Sequence, residues 1–282
     1  MSVKIVKAGG AAMGELQARI LGMTLSQMNQ LSTLGLQVIL IPRNIVTIQA
    51  GDSGGAPLTT VFTGTISSAF ADLQNQPESA FQVAAYTGLF EAVANVPPTS
   101  FPGSVDVATA MAGLASQMQL GFENSGVQVQ LANEYLSGSG RDQIQQLAEH
   151  AGISWAIDDR SLPPVLAIWP KLGARGGLVP VVSKATGMNG YPAYTAQGLQ
   201  VKMLYNPNVG LGGKIQVVSE LITSALGSGN AIIANNPQLL PASGIWAVYG
   251  LTYDLDSITP GGQWFATARC YNPAFAPPVL TQ

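Results

Sequence analysis

Apolar and polar residues alternate along several short stretches of this 282-residue chain, which predicts strands more than helices. In Ala80 to Tyr86, Phe81, Val83 and Ala85 fall on one face, with Gln82, Ala84 and Tyr86 on the other. The same alternation returns late in the chain. There Ala266, Ala268 and Cys270 take the first face, and Thr267, Arg269 and Tyr271 the second. Strands are also predicted over Ala18–Met23, Leu36–Ile41, Ile45–Ala50 and Val61–Ala69. Leu25, Met28 and Leu31 keep helical spacing, with Gly35 as the stop.

These elements suggest an internal repeat, with Leu36–Tyr86 returning as Leu199–Tyr271. "LQVILIPRN" is paired with "LQVKMLYNP", and the strands around Gly64 and Gly250 with each other. The spacings from these glycines to Tyr86 and Tyr271 differ by one residue. The middle strands match poorly, since Thr63 and Thr65 are polar where Tyr249 and Leu251 are not. Chance likeness between strands is the competing explanation.

A different pattern separates the two copies. The Pro-rich stretch 95–104 reads as a boundary. Beyond it, Ser104 is placed to cap a helix carrying Val107, Met111, Leu114 and Met118. An extended stretch follows, with Val127, Val129 and Leu131 alternating. Ser139 and Asp142 form a capping-box pattern before a helix with Ile144, Leu147 and Ala148, stopped at Gly152. "ISWAIDD" and "VLAIWP" make a hairpin around the 161–164 turn. The reading is mainly β (α+β): a small barrel or sandwich over 1–98, an α/β insert over 99–170, and a second, similar β-module over 171–282 with a Pro-rich tail. That tail is expected to be an extended arm or disordered.

Composition narrows the function. The chain is 47% apolar and 10% charged, against roughly 25% charged for an ordinary soluble domain. Such a surface is expected to be covered by other subunits. The 32 glycines and 18 prolines favour turns and short strands. A net charge of −3 argues against a dedicated nucleic-acid binder, which would carry a basic stripe. A signal-peptide core and a membrane-spanning run are both missing from the pattern.

No catalytic, cofactor or metal site is expected. "GDSGGAP" (51–57) matches the nucleophile loop of trypsin-like serine proteases, with Ser53 as nucleophile and Gly51 as an oxyanion-hole amide. The single histidine, His150, falls far downstream at a helix end, so a Gly-rich hairpin loop is the favoured reading. One histidine and one cysteine, Cys270, cannot build the usual zinc set. Cys270 is expected to be a buried thiol, and His150 a capping or surface residue. Asp158 and Asp159 close one strand, and Asp254 and Asp256 sit on another; all four are expected to be solvated strand ends rather than a glycosidase pair. Trp155, Trp169, Trp246 and Trp264 are dispersed, as core or interface anchors are.

The stretch "GMNGYPAYTAQGLQVKMLYNPNVGLGGKIQVVS" (187–219) resembles the second barrel of baseplate hub proteins from contractile-tailed bacteriophages. "GTISSAFADLQNQPESAFQVAAYTG" (64–88) is similar to the closing hairpin of the first barrel of that family, and 107–126 and 137–159 to its α/β insert. The resemblance implies two tube-protein-like barrels per chain and a homotrimer forming a pseudo-hexameric ring. That ring would adapt a sixfold tail tube to a threefold central spike. Other baseplate subunits and the tape-measure protein are implied partners, with DNA only passing through a mildly acidic lumen and no membrane insertion. The implied location is the virion, after assembly in the host cytoplasm. A tail-tube or tube-initiator protein is the alternative, and a serine hydrolase using Ser53 a more distant one.

Overall fold

The computed structural model describes residues 1–33, 44–51, 57–74, 79–93, 96–195, 197–219, 223–224 and 242–273. Gly35, the expected strand at 36–41, most of the 51–57 loop with Ser53 and most of the tail lie outside them.

The first segment holds β1 (Ser2–Lys7), β2 (Glu15–Leu21), α1 (Leu25–Leu31), β3 (Ile45–Ala50), β4 (Thr59–Asp72), β5 (Ala80–Tyr86) and α2 (Leu89–Val93). The middle segment holds β6 (Thr99–Asp106), α3 (Val107–Gln117), β7 (Gly121–Asn124), β8 (Gln130–Leu136), α4 (Gly140–Ala151), β9 (Ile153–Asp158) and β10 (Val165–Pro170). The last holds β11 (Val181–Val182), β12 (Ala193–Thr195), β13 (Gly198–Leu204), β14 (Lys214–Val217), β15 (Thr223–Ser224), β16 (Gly244–Asp256) and β17 (Trp264–Tyr271).

The mainly β expectation holds. Local chemistry explains several elements. Thr24 and Gln27 complete a capping box at α1, which ends at Ser32 rather than Gly35. Ser139 and Asp142 do the same for α4, and Gly152 closes it in the left-handed region at φ 61°. The cap of α3 is Asp106 and not Ser104: its carboxylate accepts from Thr109 N at 3.0 Å. The reason lies in the Pro-rich stretch. Instead of a boundary loop, Thr99–Asp106 is a strand antiparallel to β8, with Pro102 accommodated where the register shifts between Phe101 and Ser104. The expected extended stretch after α3 divides into β7 and β8. Asn124 brackets Val127 with two side-chain bonds, at 2.8 Å to its N–H and 3.0 Å to its carbonyl, and so makes the turn.

A 12-stranded sheet runs through both outer segments, in the order β15-β12-β13-β17-β16-β1-β2-β5-β4-β3, with β14 and β11 branching from β16. The strand β1 was not anticipated. It is antiparallel to β2 on one side and to β16 on the other, and so welds the two repeats together. One apolar core lies under this sheet, from Ile5, Leu16 and Phe62 to Val201, Leu251 and Cys270. The insert has its own core, built from Met111 and Leu114 of α3, Ile144 and Leu147 of α4, and Leu166 and Ile168 of β10. There β10 is antiparallel to β9 and parallel to β7.

The repeat is real, but its register differs from the expected one. In the closing strands the alignment stands, because Phe81, Val83, Ala85, Ala266, Ala268 and Cys270 are all buried. Bulges then fix the middle strands. Tyr86 opposes Thr65 and Ala85 opposes Ile66 before a bulge at Ser67; Tyr271 opposes Ala247 and Cys270 opposes Val248 before a bulge at Tyr249. The counterpart of Gly64 is therefore Trp246, and that of Gly250 is Ser68. Thr63 and Thr65 correspond to Ile245 and Ala247, so their mismatch with Tyr249 and Leu251 came from a slipped alignment. The opening strand moves too. Leu16 opposes Ala85 as Leu199 opposes Cys270, which aligns "LQARIL" of β2 with "LQVKML" of β13. The repeat unit thus begins with β1 and β2, answered by β12 and β13, and not at Leu36.

Candidate functional site

Two polar regions stand out, a buried ionic joint and the outer face of the long sheet. The joint lies where the insert meets the sheet. Lys7, the last residue of β1, points inward after Val3 and Ile5, yet it is charged. Its ammonium pairs with Asp159, and both side chains are under a tenth exposed. Thr87, just past β5, donates to the other Asp159 oxygen at 2.7 Å. Asp158 takes Arg160 on two bonds, at 2.9 and 2.7 Å, and Arg175 at 2.8 Å. Arg175 also binds Glu123 of β7 and reaches the Leu211 carbonyl at 3.4 Å. The Arg160 guanidinium leaves no room for a side chain at Gly210, where a Cβ would come within 2.7 Å. One network therefore ties together both outer segments and the insert. A second tie lies beside it: Gly10 N–H donates to the Trp155 carbonyl at 2.8 Å, and Arg141 donates to the Gly10 carbonyl at 3.0 Å.

Asp158 and Asp159 are thus not the solvated strand ends that their place beside a turn suggested. Tertiary packing buries them, and each is neutralised by a cation from outside its own strand or from the following turn. Burial pushes the Asp158 carboxyl up, but Arg160 and Arg175 outweigh it and hold it well below the usual carboxylate range. Arg175 does the same for Glu123, against a smaller effect of burial. Burial lowers the Lys7 ammonium, and Asp159 offsets only part of that. Among the described residues, no buried side-chain nitrogen or oxygen lacks a partner.

The sign of the acid response follows. Asp158 and Glu123 have depressed values in the folded state, so their stabilisation is complete above the ordinary carboxylate range and is lost as pH falls through the folded values. We expect the melting temperature to hold steady from neutral pH to about pH 5 and to fall below about pH 4. Asp158→Asn should lower it at neutral pH and flatten that acid limb. Thermal unfolding by circular dichroism across pH measures both, and an unchanged acid limb in the variant would remove Asp158 from the explanation.

The outer face of the central strands carries a run of polar and charged positions. Lys4 lies between Asp254 and Gln17, and Arg19 between Ser2 and Gln82. Arg269 lies beside Gln200, and Thr267 beside Lys202 and Thr252. Asp256 serves the hairpin after β16: its oxygens accept from Ile258 N at 2.8 Å and Thr259 Oγ1 at 3.0 Å, which lowers its carboxyl. Strand alternation sets Asp254 on the opposite side from Tyr253, and so away from Asp158 and Asp159.

The remaining candidates hold no reactive arrangement. His150 is exposed in the last turn of α4, with Nδ1 2.7 Å from Glu134 Oε2. Cys270 is fully buried, and burial pushes its thiol up, away from the thiolate. Trp155, Trp169 and Trp246 are core residues, with the Trp155 and Trp246 indole N–H groups bonded at 2.9 and 2.8 Å. Trp264 packs against the core edge. Among the described residues, no group of His, Cys, Asp or Glu is arranged to hold a metal, and no helix is long and apolar enough to cross a membrane. The joint itself was missed in the sequence. Its only trace there is a charged residue, Lys7, at an inward position of an alternating strand.

Comparison with known proteins places the fold. A family model described as "Baseplate hub gp41" matches residues 9–234. The tail protein of Neisseria meningitidis MC58 superposes with a TM-score of 0.59 at 8% identity, over 96% of this chain and 91% of that one. The 43 kDa tail protein of prophage MuSo2 from Shewanella oneidensis gives 0.57 at 10% identity, over 96% and 92%. The E. coli c3393 protein, a type VI secretion component similar in structure to the T4 tail proteins gp27 and gp5, gives 0.57 at 11% identity, over 96% and 73%. No curated protein matches the sequence. With the family model covering most of its length, the chain belongs to the baseplate hub gp41 family: it is a structural component of a phage tail baseplate, and its place is the virion.

Proposed function

We propose that three copies of this chain close into a ring that presents six similar β-modules to a sixfold tail tube and three equivalent faces to a central spike. The observation that carries this reading is the register-matched repeat. Five strands recur in the same order, β1-β2-β5-β4-β3 and β12-β13-β17-β16-β14, with the same bulge and the same LQ-x-basic-x-Leu strand, all in one sheet. A chain that must meet identical tube subunits at two places needs two similar surfaces. The likeness of the E. coli relative to T4 gp27 and gp5 supports the same reading.

In this ring the outer face of the central strands lines the channel through which DNA leaves, with the tape-measure protein inside it beforehand. The six central strands carry Lys4, Arg19, Lys202 and Arg269 against Glu15, Asp254 and Asp256. That wall is close to balanced, rather than acidic as the net charge of the chain suggested. A balanced wall neither grips phosphate nor repels it strongly. The reading assigns the chain no catalysis.

Native mass spectrometry of the purified chain tests the ring. We expect the mass of three chains, and threefold density with a sixfold-like inner ring in electron micrographs of the particle. A monodisperse monomer with no affinity for tube or spike proteins would refute it.

A further inference from the structure

We infer that Asn189 is a site of spontaneous covalent modification, in which its side-chain amide closes on the backbone nitrogen of Gly190 and is replaced by an acid. Asn189–Gly190 is the one Asn-Gly pair in the chain. It lies in the exposed turn that leads into β12. The chemistry needs a free carboxamide, an accessible nitrogen on the next residue, and room for the two to meet. All three are present. Asn189 and Gly190 are both exposed. Among the described residues, nothing bonds to the Asn189 side chain or to the Gly190 N–H; Asn189 is held through its own N–H, which donates to the Lys202 carbonyl at 2.8 Å. Gly190 sits at φ 75°, and nothing lies within 4 Å of the point where a Cβ would stand. A side chain there would crowd the nitrogen, whereas glycine leaves it open and lets the backbone reach the ring geometry.

The step balances with water alone. Solvent base takes the Gly190 amide proton, and the nitrogen attacks Asn189 Cγ. The Cγ–Nδ2 bond breaks, and the nitrogen leaves as ammonia with the proton returned to it. The product is a five-membered succinimide. Water then adds to one of the two ring carbonyls. Opening at Cγ gives aspartate with the original main chain. Opening at the Asn189 backbone carbonyl gives isoaspartate, in which the main chain runs through Cβ and Cγ.

Asn124, followed by the small residue Ser125, shows what protects an asparagine in this fold. Its side chain is spent on Val127, at 2.8 Å to the N–H and 3.0 Å to the carbonyl. The Ser125 N–H donates to the Ile168 carbonyl at 2.9 Å. Cyclisation there must first break all three bonds.

The two products at Asn189 differ in consequence. Both add a negative charge, but isoaspartate also lengthens the main-chain path. The turn is pinned to β13 by the Asn189–Lys202 bond, by the Leu204 N–H donating to the Gly187 carbonyl at 2.8 Å, and by the bridge between Met188 and Met203. Just beyond it, β12 is held to β13 through Ala193, Tyr194 and Thr195 alone. Isoaspartate therefore displaces the start of β12, and aspartate does not.

Peptide mapping by mass spectrometry of the purified full chain, held warm in mildly alkaline buffer, tests this. Residue 189 should gain the mass of an amide turned acid faster than residue 124 by about tenfold or more, with isoaspartate detected by isoaspartyl methyltransferase labelling. Asn189→Gln should stop the gain at that position without lowering the melting temperature. Separated by its extra charge on an ion-exchange column, the isoaspartate chain should show severalfold faster amide hydrogen exchange over residues 191–195, and Asn189→Asp should not. Equal rates at 189 and 124 overturn the site. So does a folded chain that converts at 189 more than about tenfold slower than a synthetic peptide of residues 185–195, because the fold would then be shielding the pair. Unaltered exchange in the isoaspartate chain overturns the displacement of β12.

Discussion

Asp159→Ala is expected to destabilise the protein by about 3–5 kcal/mol, because it strands the Lys7 ammonium in a site that is almost fully buried. Thr87 would lose its acceptor at the same time. Burial alone already lowers the Lys7 value, so the unpaired ammonium is driven further towards its neutral form. The joint is also the bond between insert and sheet, so the loss should appear as early melting of their contact. Proteolysis should then cut near the 8–14 and 171–176 connections before the core unfolds. Lys7→Met with Asp159→Leu removes both charges, and most of the stability should return. Chemical denaturation of the three proteins decides the matter. A double variant as weak as Asp159→Ala would mean that shape, and not the stranded charge, sets the cost.

The second large effect concerns Gly198, at the start of β13. Its φ is 138°, a region that side chains rarely adopt, and an added Cβ would sit 2.1 Å from the Cys270 carbonyl oxygen. The obstructing atoms belong to the backbone of β17, which pairs with β13 and β16 and cannot retreat. Gly198→Ala is therefore expected to cost more than about 3 kcal/mol and to reduce the yield of folded protein. Gly250→Ala is the contrast. A Cβ there meets only the Arg269 side chain, at 3.7 and 3.8 Å, which is ordinary contact. Its effect should stay within about 0.5 kcal/mol. Equal losses at both glycines would show that backbone conformation at Gly198 is not the controlling factor.

The two repeats use their glycines differently. Gly250 looked like the centre of a motif shared with Gly64, but the two are not counterparts. At Gly64 a Cβ would meet the Phe62 ring at 2.6 Å and the Tyr86 carbonyl at 2.8 Å, so glycine is required there for packing. A shared residue type at a similar spacing concealed a slip in the alignment. The bulges at Ser67 and Tyr249 show the true match, and a bulge leaves no reliable mark in one sequence.

Local signals decided much of this protein from the sequence alone. Alternation set the faces of β5 and β17, helical spacing marked α1, capping residues set the start of α4, and a left-handed glycine ended α4. Scarcity of charge and of reactive side chains pointed away from catalysis and towards a surface covered by partners. Each of these depends on residues a few positions apart, and that is why they were legible. What the tertiary structure decided depends on residues far apart in the chain. The strand β1 finds β16 across some 250 positions, Lys7 finds Asp159, and Ser2–Lys7 becomes the weld between two repeats. Whether an aspartate at a strand end meets water or a buried ammonium, and which of two "LQ" strands answers "LQVKML", are settled by packing partners that no local pattern names.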